Sequence, residues 1–230
     1  DYICRRRLDR GTMPNAPVAV TTIVSTELAD AVAAHYGVEL RRVLTGFKYI
    51  GEQIGLLERE GHPERFIFGF EESYGYLSGA YVRDKDGVVA SMLCCEMTAW
   101  YRAQGKSLAE VLDALYAAYG WCHNRLGSFT YEGADGMEKM GRIMDTLREN
   151  PPKVLLGNPV TAITDYGSGV RGLPKSNVLE FRTETAKVIV RPSGTEPKIK
   201  VYLSCRAASM PAAEDASGQL LAEITESYLK

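Results

Sequence analysis

The sequence has no apolar run of about 18 residues, the length a helix needs to cross a bilayer, and its first residues lack a charged-then-apolar leader pattern. A cytoplasmic protein with no membrane partner is therefore expected. It also lacks a surplus of either charge: 27 Lys and Arg against 29 Asp and Glu leave −2 at pH 7. That balance excludes a global attraction to nucleic acid, so affinity for an anion must come from a local arrangement. Cysteine is sparse. Cys4, Cys94, Cys95, Cys122 and Cys205 form neither a CxxC nor a Cys/His ligand spacing, so buried thiols in a reducing compartment are expected, and no structural metal. His35, His62 and His123 are scattered without a partner pattern and are assigned no chemistry. Walker-type and dinucleotide glycine patterns are absent, which weighs against a nucleotide-binding protein. Neither a nucleophile motif nor a carboxylate cluster suited to Mg²⁺ occurs.

What is present suffices for a sizeable core: 230 residues, 45% of them hydrophobic. The opening DYICRRRLDRG reads as the end of a helix running into a glycine, and the chain is expected to start within a longer protein. Pro17 to Val24 are small, apolar or β-branched, the composition of a strand buried on both faces. Ser25 or Thr26 then caps a stripe at Leu28, Val32 and Tyr36. Helices are predicted from Phe47 to about Glu60, from Val88 to Tyr101 and from Ser107 to Tyr119, the last opened by a Ser107/Glu110 capping box. A strand is predicted from Arg65 to Phe70. This alternation predicts an α/β three-layer domain with a mainly parallel sheet over residues 1–120. From 121 to 230 a smaller α+β domain is expected. Its first helix starts at Asp135-x-x-Glu138 with Met137, Met140, Met144 and Leu147 on one core-packing face. Strands follow at Lys153–Leu156, Pro159–Tyr166, Val178–Arg182, Ala186–Arg191 and Pro197–Cys205, and a closing helix runs from about Pro211 to Tyr228.

Four stretches carry more polar chemistry than a connection needs. In RPSGTEPKIK, Arg191 to Lys200, two prolines stiffen a loop whose Ser193, Gly194 and Thr195 amides could converge, with Arg191 and Lys200 as flanking cations. Amides, hydroxyls and a guanidinium together suit a phosphate better than a solvated hairpin tip. GFEESYG, Gly69 to Gly75, follows a strand. Ionised Glu71 is a pure acceptor and Ser73 both donates and accepts, a pairing suited to vicinal sugar hydroxyls, although acidic residues capping a turn would look the same. Glu72 should point elsewhere. In TGFKYIG, Lys48 sits near a helix start, where a cation opposes the helix dipole; a functional placement and simple snorkelling both remain open. RDKDG, Arg83 to Gly87, reads as a charged turn of the kind that is usually a solvated hairpin.

Taken in order, TGFKYIG, GFEESYGY, RDKDG and RPSGTEPKIKVY resemble the second half of the alpha-D-phosphohexomutases, the phosphoglucomutase and phosphomannomutase family, over nearly the whole chain. The resemblance implies four domains around one cleft, of which this chain would supply the third, α/β, and the fourth, a smaller α+β domain resembling the TATA-binding-protein fold. It implies that Glu71 and Ser73 contact the O3 and O4 hydroxyls of the sugar, with Thr45, Gly46 and Lys48 in the loop that recognises its orientation. Lys85 would stand near the reacting oxygen as a proton-transfer group. Arg191, Ser193, Gly194, Thr195 and Lys200 would hold the non-reacting phosphate. The GFEES loop resembles the GEES-type sugar loops of enzymes favouring glucose.

The sequence departs from the family in lacking the T-A-S-H-N-P loop with its phosphoserine and the D-G-D-x-D-R loop for Mg²⁺. The implied reaction interconverts hexose 1-phosphate and hexose 6-phosphate, with Mg²⁺ and a hexose 1,6-bisphosphate activator serving the full-length parent. This chain alone is expected to bind hexose phosphate without turnover, its other partner being the preceding domains of the same chain. The alternative is a stand-alone phosphosugar-binding or regulatory module without catalysis.

Overall fold

The computed structural model describes residues 1–133, 135–170 and 172–230, and divides the chain into two compact units, Asp1–Tyr119 and Gly120–Lys230. In the first, α1 (Tyr2–Asp9) leads to β1 (Val18–Thr22), α2 (Leu28–Tyr36), β2 (Glu39–Val43), α3 (Phe47–Arg59), β3 (Phe66–Glu71), β4 (Gly75–Leu77), α4 (Gly87–Arg102) and α5 (Leu108–Tyr119). The strands lie in the order β2-β1-β3-β4, with β1 parallel to both neighbours and β4 reversed against β3. The mainly parallel α/β architecture read from the sequence is what this unit shows. β1 is central, and its Val18, Val20, Thr21 and Thr22 are all buried, which explains its near-continuous apolar and β-branched run. Alternation along the strand puts Val18 and Val20 on one face and Ala19 on the other, where it joins Cys4, Ala33, Val38 and Ile67. α3 buries Ile50, Ile54 and Leu57. A Cβ on Gly69 of β3 would stand 2.7 Å from Ile50 Cγ2, so the glycine lets α3 approach the sheet.

Local signals at the helix ends were partly legible. α5 opens with the expected capping box: Ser107 N–H donates to Glu110 Oε2 at 2.8 Å, and Glu110 N–H to Ser107 Oγ at 3.2 Å. The cap of α2 differs from expectation, since Glu27 takes the N-cap position without a side-chain bond while Thr26 Oγ1 accepts from Leu28 N at 3.2 Å. No residue of α5 is buried, and an apolar cavity of about 490 Å³ is lined by Ala19, Val32, Phe68, Leu93, Met97 and Leu115, among others. α4 lies against β4, and α5 against α2 and α4; of the two helices only Tyr101 is buried. Cys94 and Cys95, on α4, are exposed, contrary to the expectation of buried thiols; Cys4, Cys122 and Cys205 are buried.

The second unit comprises β5 (Trp121–Thr130), α6 (Gly136–Glu149), a short ribbon of β6 (Val154–Leu155) and β7 (Asn158–Pro159), then β8 (Ala162–Asp165), β9 (Leu179–Arg182), β10 (Ala186–Pro192), β11 (Lys198–Ala207) and α7 (Met210–Ile224). Its main sheet is antiparallel throughout, in the order β5-β11-β10-β9-β8. Leu179, Phe181, Val188, Val190, Ile199, Val201 and Leu203 share one face and form a single core with Met140, Met144 and Leu147 of α6 and Leu220 and Ile224 of α7. This is the α+β domain expected.

Three details correct the sequence reading. β5 was not foreseen: its His123, Asn124, Arg125 and Ser128 break any two-residue hydrophobic alternation, and only pairing with β11 along its whole length makes it a strand. Asp135 holds the N-cap position of α6 but makes no side-chain cap bond. Met137 is 48% exposed and lies off the buried face, which instead includes Ile143.

Candidate functional site

In the first unit, three of the polar stretches meet at the start of α3. Gly46 stands at the N-cap position with φ 121°, a conformation open to glycine. Its N–H donates to Glu71 Oε1 at 2.6 Å. Glu71 ends β3 and is only 7% exposed, so one carboxylate oxygen is fixed by the α3 loop. The other accepts no hydrogen bond from a described residue. Glu72 points away, as expected, and its Oε2 accepts from Thr22 Oγ1 at 2.9 Å. Ser73 is exposed at the tip of the β3–β4 hairpin beside Tyr74, which is 86% exposed at φ 62°.

RDKDG is not a hairpin; it runs into α4. Asp86 caps that helix through Oδ1, which accepts from Val88 N and Val89 N at 2.9 Å each, while Tyr81 Oη donates to its Oδ2 at 2.6 Å. Those bonds, the tyrosine's foremost, hold the Asp86 carboxyl below the usual range. Two glycines dock the segment. A Cβ on Gly51 would lie 2.5 Å from the Arg83 carbonyl oxygen, and one on Gly75 would lie 2.9 Å from Lys85 Cδ and 3.0 Å from Phe47 Cδ2. The Lys85 stem therefore crosses Gly75, and its ammonium sits 5.5 Å from the centre of the Phe47 ring, a cation–π contact, and 3.5 Å from Asp84 Oδ1. Thr45, Gly46, Glu71 and Lys85 are thus drawn to one place, with Ser73 on the same hairpin. Lys48, one residue into α3, lies over the Tyr49 ring at 4.9 Å.

In the second unit, the β10–β11 register sets Arg191 directly opposite Lys200. Neither makes an ion pair with a described residue, whereas neighbouring Lys198 is paired to Glu196 Oε2 at 3.0 Å. Two opposed cations on one sheet face repel, and a bound anion would relieve that repulsion. The loop between them spends more of its donors internally than expected. Ser193 N–H donates to the Lys198 carbonyl at 2.7 Å, and Ser193 Oγ accepts from Thr195 N at 3.3 Å and Glu196 N at 3.2 Å. The three converging amides reduce to one, that of exposed Gly194, with the Ser193 and Thr195 hydroxyls still able to donate. Among the described residues no group of three or more His, Cys, Asp or Glu could hold a metal ion.

The sequence reading missed Phe47 and Gly75 as the parts against which Lys85 lies, and Gly51 as the position that admits the Arg83 backbone. Only the paired terminal glycines of TGFKYIG and GFEESYG hinted at close approach.

Comparison with known proteins bears on the family and the fold. Residues 2–119 match the family model described as phosphoglucomutase/phosphomannomutase, alpha/beta/alpha domain III, and residues 106–215 that of the family's C-terminal domain. A phosphoglucomutase of Staphylococcus aureus is 40% identical over 198 residues, covering 81% of this chain and 35% of that protein. One from Staphylococcus haemolyticus is 36% identical over 208 residues, covering 86% and 37%. The chain therefore spans little more than a third of the length of these curated relatives. Among solved structures, the open form of the phosphoglucomutase parafusin from Paramecium aligns with TM-score 0.63 at 20% identity, covering 92% of this chain and 36% of that one. A phosphoglucomutase/phosphomannomutase family protein from Burkholderia thailandensis aligns with TM-score 0.53 at 14% identity, covering 98% and 40%. At those identities the alignments speak for the fold alone. The sequence matches go further: this chain belongs to the phosphoglucomutase/phosphomannomutase family, matching its third and C-terminal domains.

Proposed function

We propose that the chain is the substrate-gripping C-terminal portion of an enzyme that interconverts hexose 1-phosphate and hexose 6-phosphate. The first unit takes the sugar. Glu71, pinned through one oxygen to Gly46, offers the other to vicinal hydroxyls, and Ser73 adds a hydroxyl that donates or accepts. Thr45, Gly46 and Lys48 shape the adjoining loop. Lys85, carried across Gly75, holds or yields a proton at the sugar oxygen that gains or loses the phosphoryl group. The second unit takes the phosphate that does not react, through Arg191, Lys200, the Gly194 amide and the Ser193 and Thr195 hydroxyls. Mg²⁺, which the family implies for the parent, would neutralise phosphoryl charge, but the described residues offer it no ligand set. The phosphoserine and the site for Mg²⁺ belong to the preceding domains, and the hexose 1,6-bisphosphate activator serves the same parent reaction.

The observation that carries the phosphate assignment is the unpaired opposition of Arg191 and Lys200. Titration with inorganic phosphate and glucose 6-phosphate, followed by ³¹P NMR, tests it. Arg191→Ala should weaken both ligands about tenfold or more, while Lys198→Ala, which removes a cation already paired to Glu196, should change little. Equal affinities for wild type and Arg191→Ala would remove the assignment. Incubated with glucose 1-phosphate, the bisphosphate and Mg²⁺, the chain alone should show no turnover; measurable glucose 6-phosphate would overturn the division of labour.

A further inference from the structure

We propose that Tyr74 is a substrate-contacting residue whose ring packs on the C–H face of the hexose, an inference that rests on the sugar site proposed above. Among the described residues, three that are not glycine adopt positive φ: Ala16, Tyr74 and Leu156. Two of these are tied down. The Ala16 carbonyl accepts from Arg65 Nε at 2.8 Å, and Leu156 donates its N–H to Glu223 Oε2 at 3.0 Å while packing against the core. Tyr74 has no such anchor among the described residues: its hydroxyl makes no hydrogen bond, its ring meets no other ring, and it is 86% exposed. It also occupies the last place of the three-residue connection between the paired Glu71 and Gly75, a left-handed position that hairpins of this length ordinarily give to glycine or asparagine. The fold therefore holds a bulky aromatic in a costly conformation and gains nothing from it.

Placement supplies the use. Ser73 precedes Tyr74, and Gly75, over which the Lys85 stem lies, follows it. The ring thus projects from the same hairpin that carries Glu71 and Ser73. A pyranose presents polar edges and apolar C–H faces; carboxylate and hydroxyl suit the edges, and an aromatic face suits the C–H surface. Tyr74 would fix the plane of the sugar while Glu71 and Ser73 read its hydroxyls.

The test combines saturation-transfer NMR on glucose 6-phosphate with ³¹P titration and thermal melting of the same samples. Tyr74→Asn, which tolerates positive φ, should melt at or above the wild-type temperature, lose saturation transfer to the sugar C–H protons and bind glucose 6-phosphate about fivefold more weakly. Inorganic phosphate should bind it unchanged. Tyr74→Phe should retain transfer and affinity. Wild-type transfer and affinity in Tyr74→Asn would overturn the inference and leave the proposed function standing, whereas a wild-type chain that perturbs neither ³¹P nor sugar signals would overturn both.

Discussion

Gly51 and Gly55 lie one turn apart on α3 and answer to different constraints. A methyl group on Gly51 would meet the Arg83 carbonyl at 2.5 Å, and backbone cannot swing aside as a side-chain end can. At Gly55 the nearest neighbour would be the mobile end of Arg59, at 3.6 Å. Gly51→Ala should therefore cost about 1–3 kcal/mol through strain in the RDKDG segment. Gly55→Ala should be neutral or stabilise by up to about 1 kcal/mol through helix propensity. Urea denaturation of the two variants checks the contrast; similar effects would show that the segment does not press on α3. The chemistry-bearing side chains of this site were legible one by one, because acceptor, donor and cation are properties of residue type. What the glycines beside them were for was not, since a glycine's purpose is the neighbour it admits, and Arg83 and Lys85 reach Gly51 and Gly75 only in the fold.

Helix α6 shows what periodicity alone resolves. The spacing of Met137, Met140, Met144 and Leu147 located the helix and its general facing, yet Met137 sits in the first turn and is 48% exposed. Met144 is 1% exposed within the second core, so Met144→Ala should cost about 2–5 kcal/mol. Met137→Ala should stay within about 0.5 kcal/mol of wild type, and chemical denaturation separates the two. An element can also exist without a legible pattern. β5 is an edge strand whose alternation is interrupted on both faces, and its ten residues become a strand because β11 offers an unbroken row of backbone partners. By contrast, β11 was legible because Ile199, Val201 and Leu203 face a core while Lys198 and Lys200 do not. α5 lies between these cases: its capping box forms as written, but nothing along its apolar stripe becomes buried.

For the molecule as a whole, several carboxylates tie stability to pH. Burial alone would raise the Glu180 carboxyl, but hydrogen bonds from Arg182 and Tyr166 and the charge of Lys187 outweigh it and hold the group below its usual range. Desolvation of Asp165 is likewise outweighed by Arg148 and the Gly167 N–H, and Glu39 is lowered chiefly by Arg41. A carboxyl lowered on folding contributes fully above its unfolded value and loses that contribution as pH falls through the folded one. Stability should therefore hold above about pH 4.5, the ordinary glutamate value, and decline as pH falls further. Arg182→Met should cost about 3–5 kcal/mol at neutral pH by leaving Glu180 buried without its main partner, and its acid decline should begin at higher pH. Denaturation midpoints across the acid range check both; coincident profiles for variant and wild type would show that Arg182 is not what holds Glu180 ionised. Composition and pattern by themselves determined that this chain builds a mainly parallel α/β unit and then a smaller α+β unit, because burial on two faces or one is written into the order of apolar residues. They also determined which residue types gather in four polar stretches. Only the tertiary structure decided that Gly46 holds one oxygen of Glu71, that Lys85 crosses Gly75, and that Arg191 faces Lys200 without a carboxylate between them. Those relations depend on strand register and close backbone approach between residues distant in sequence, which no local pattern encodes.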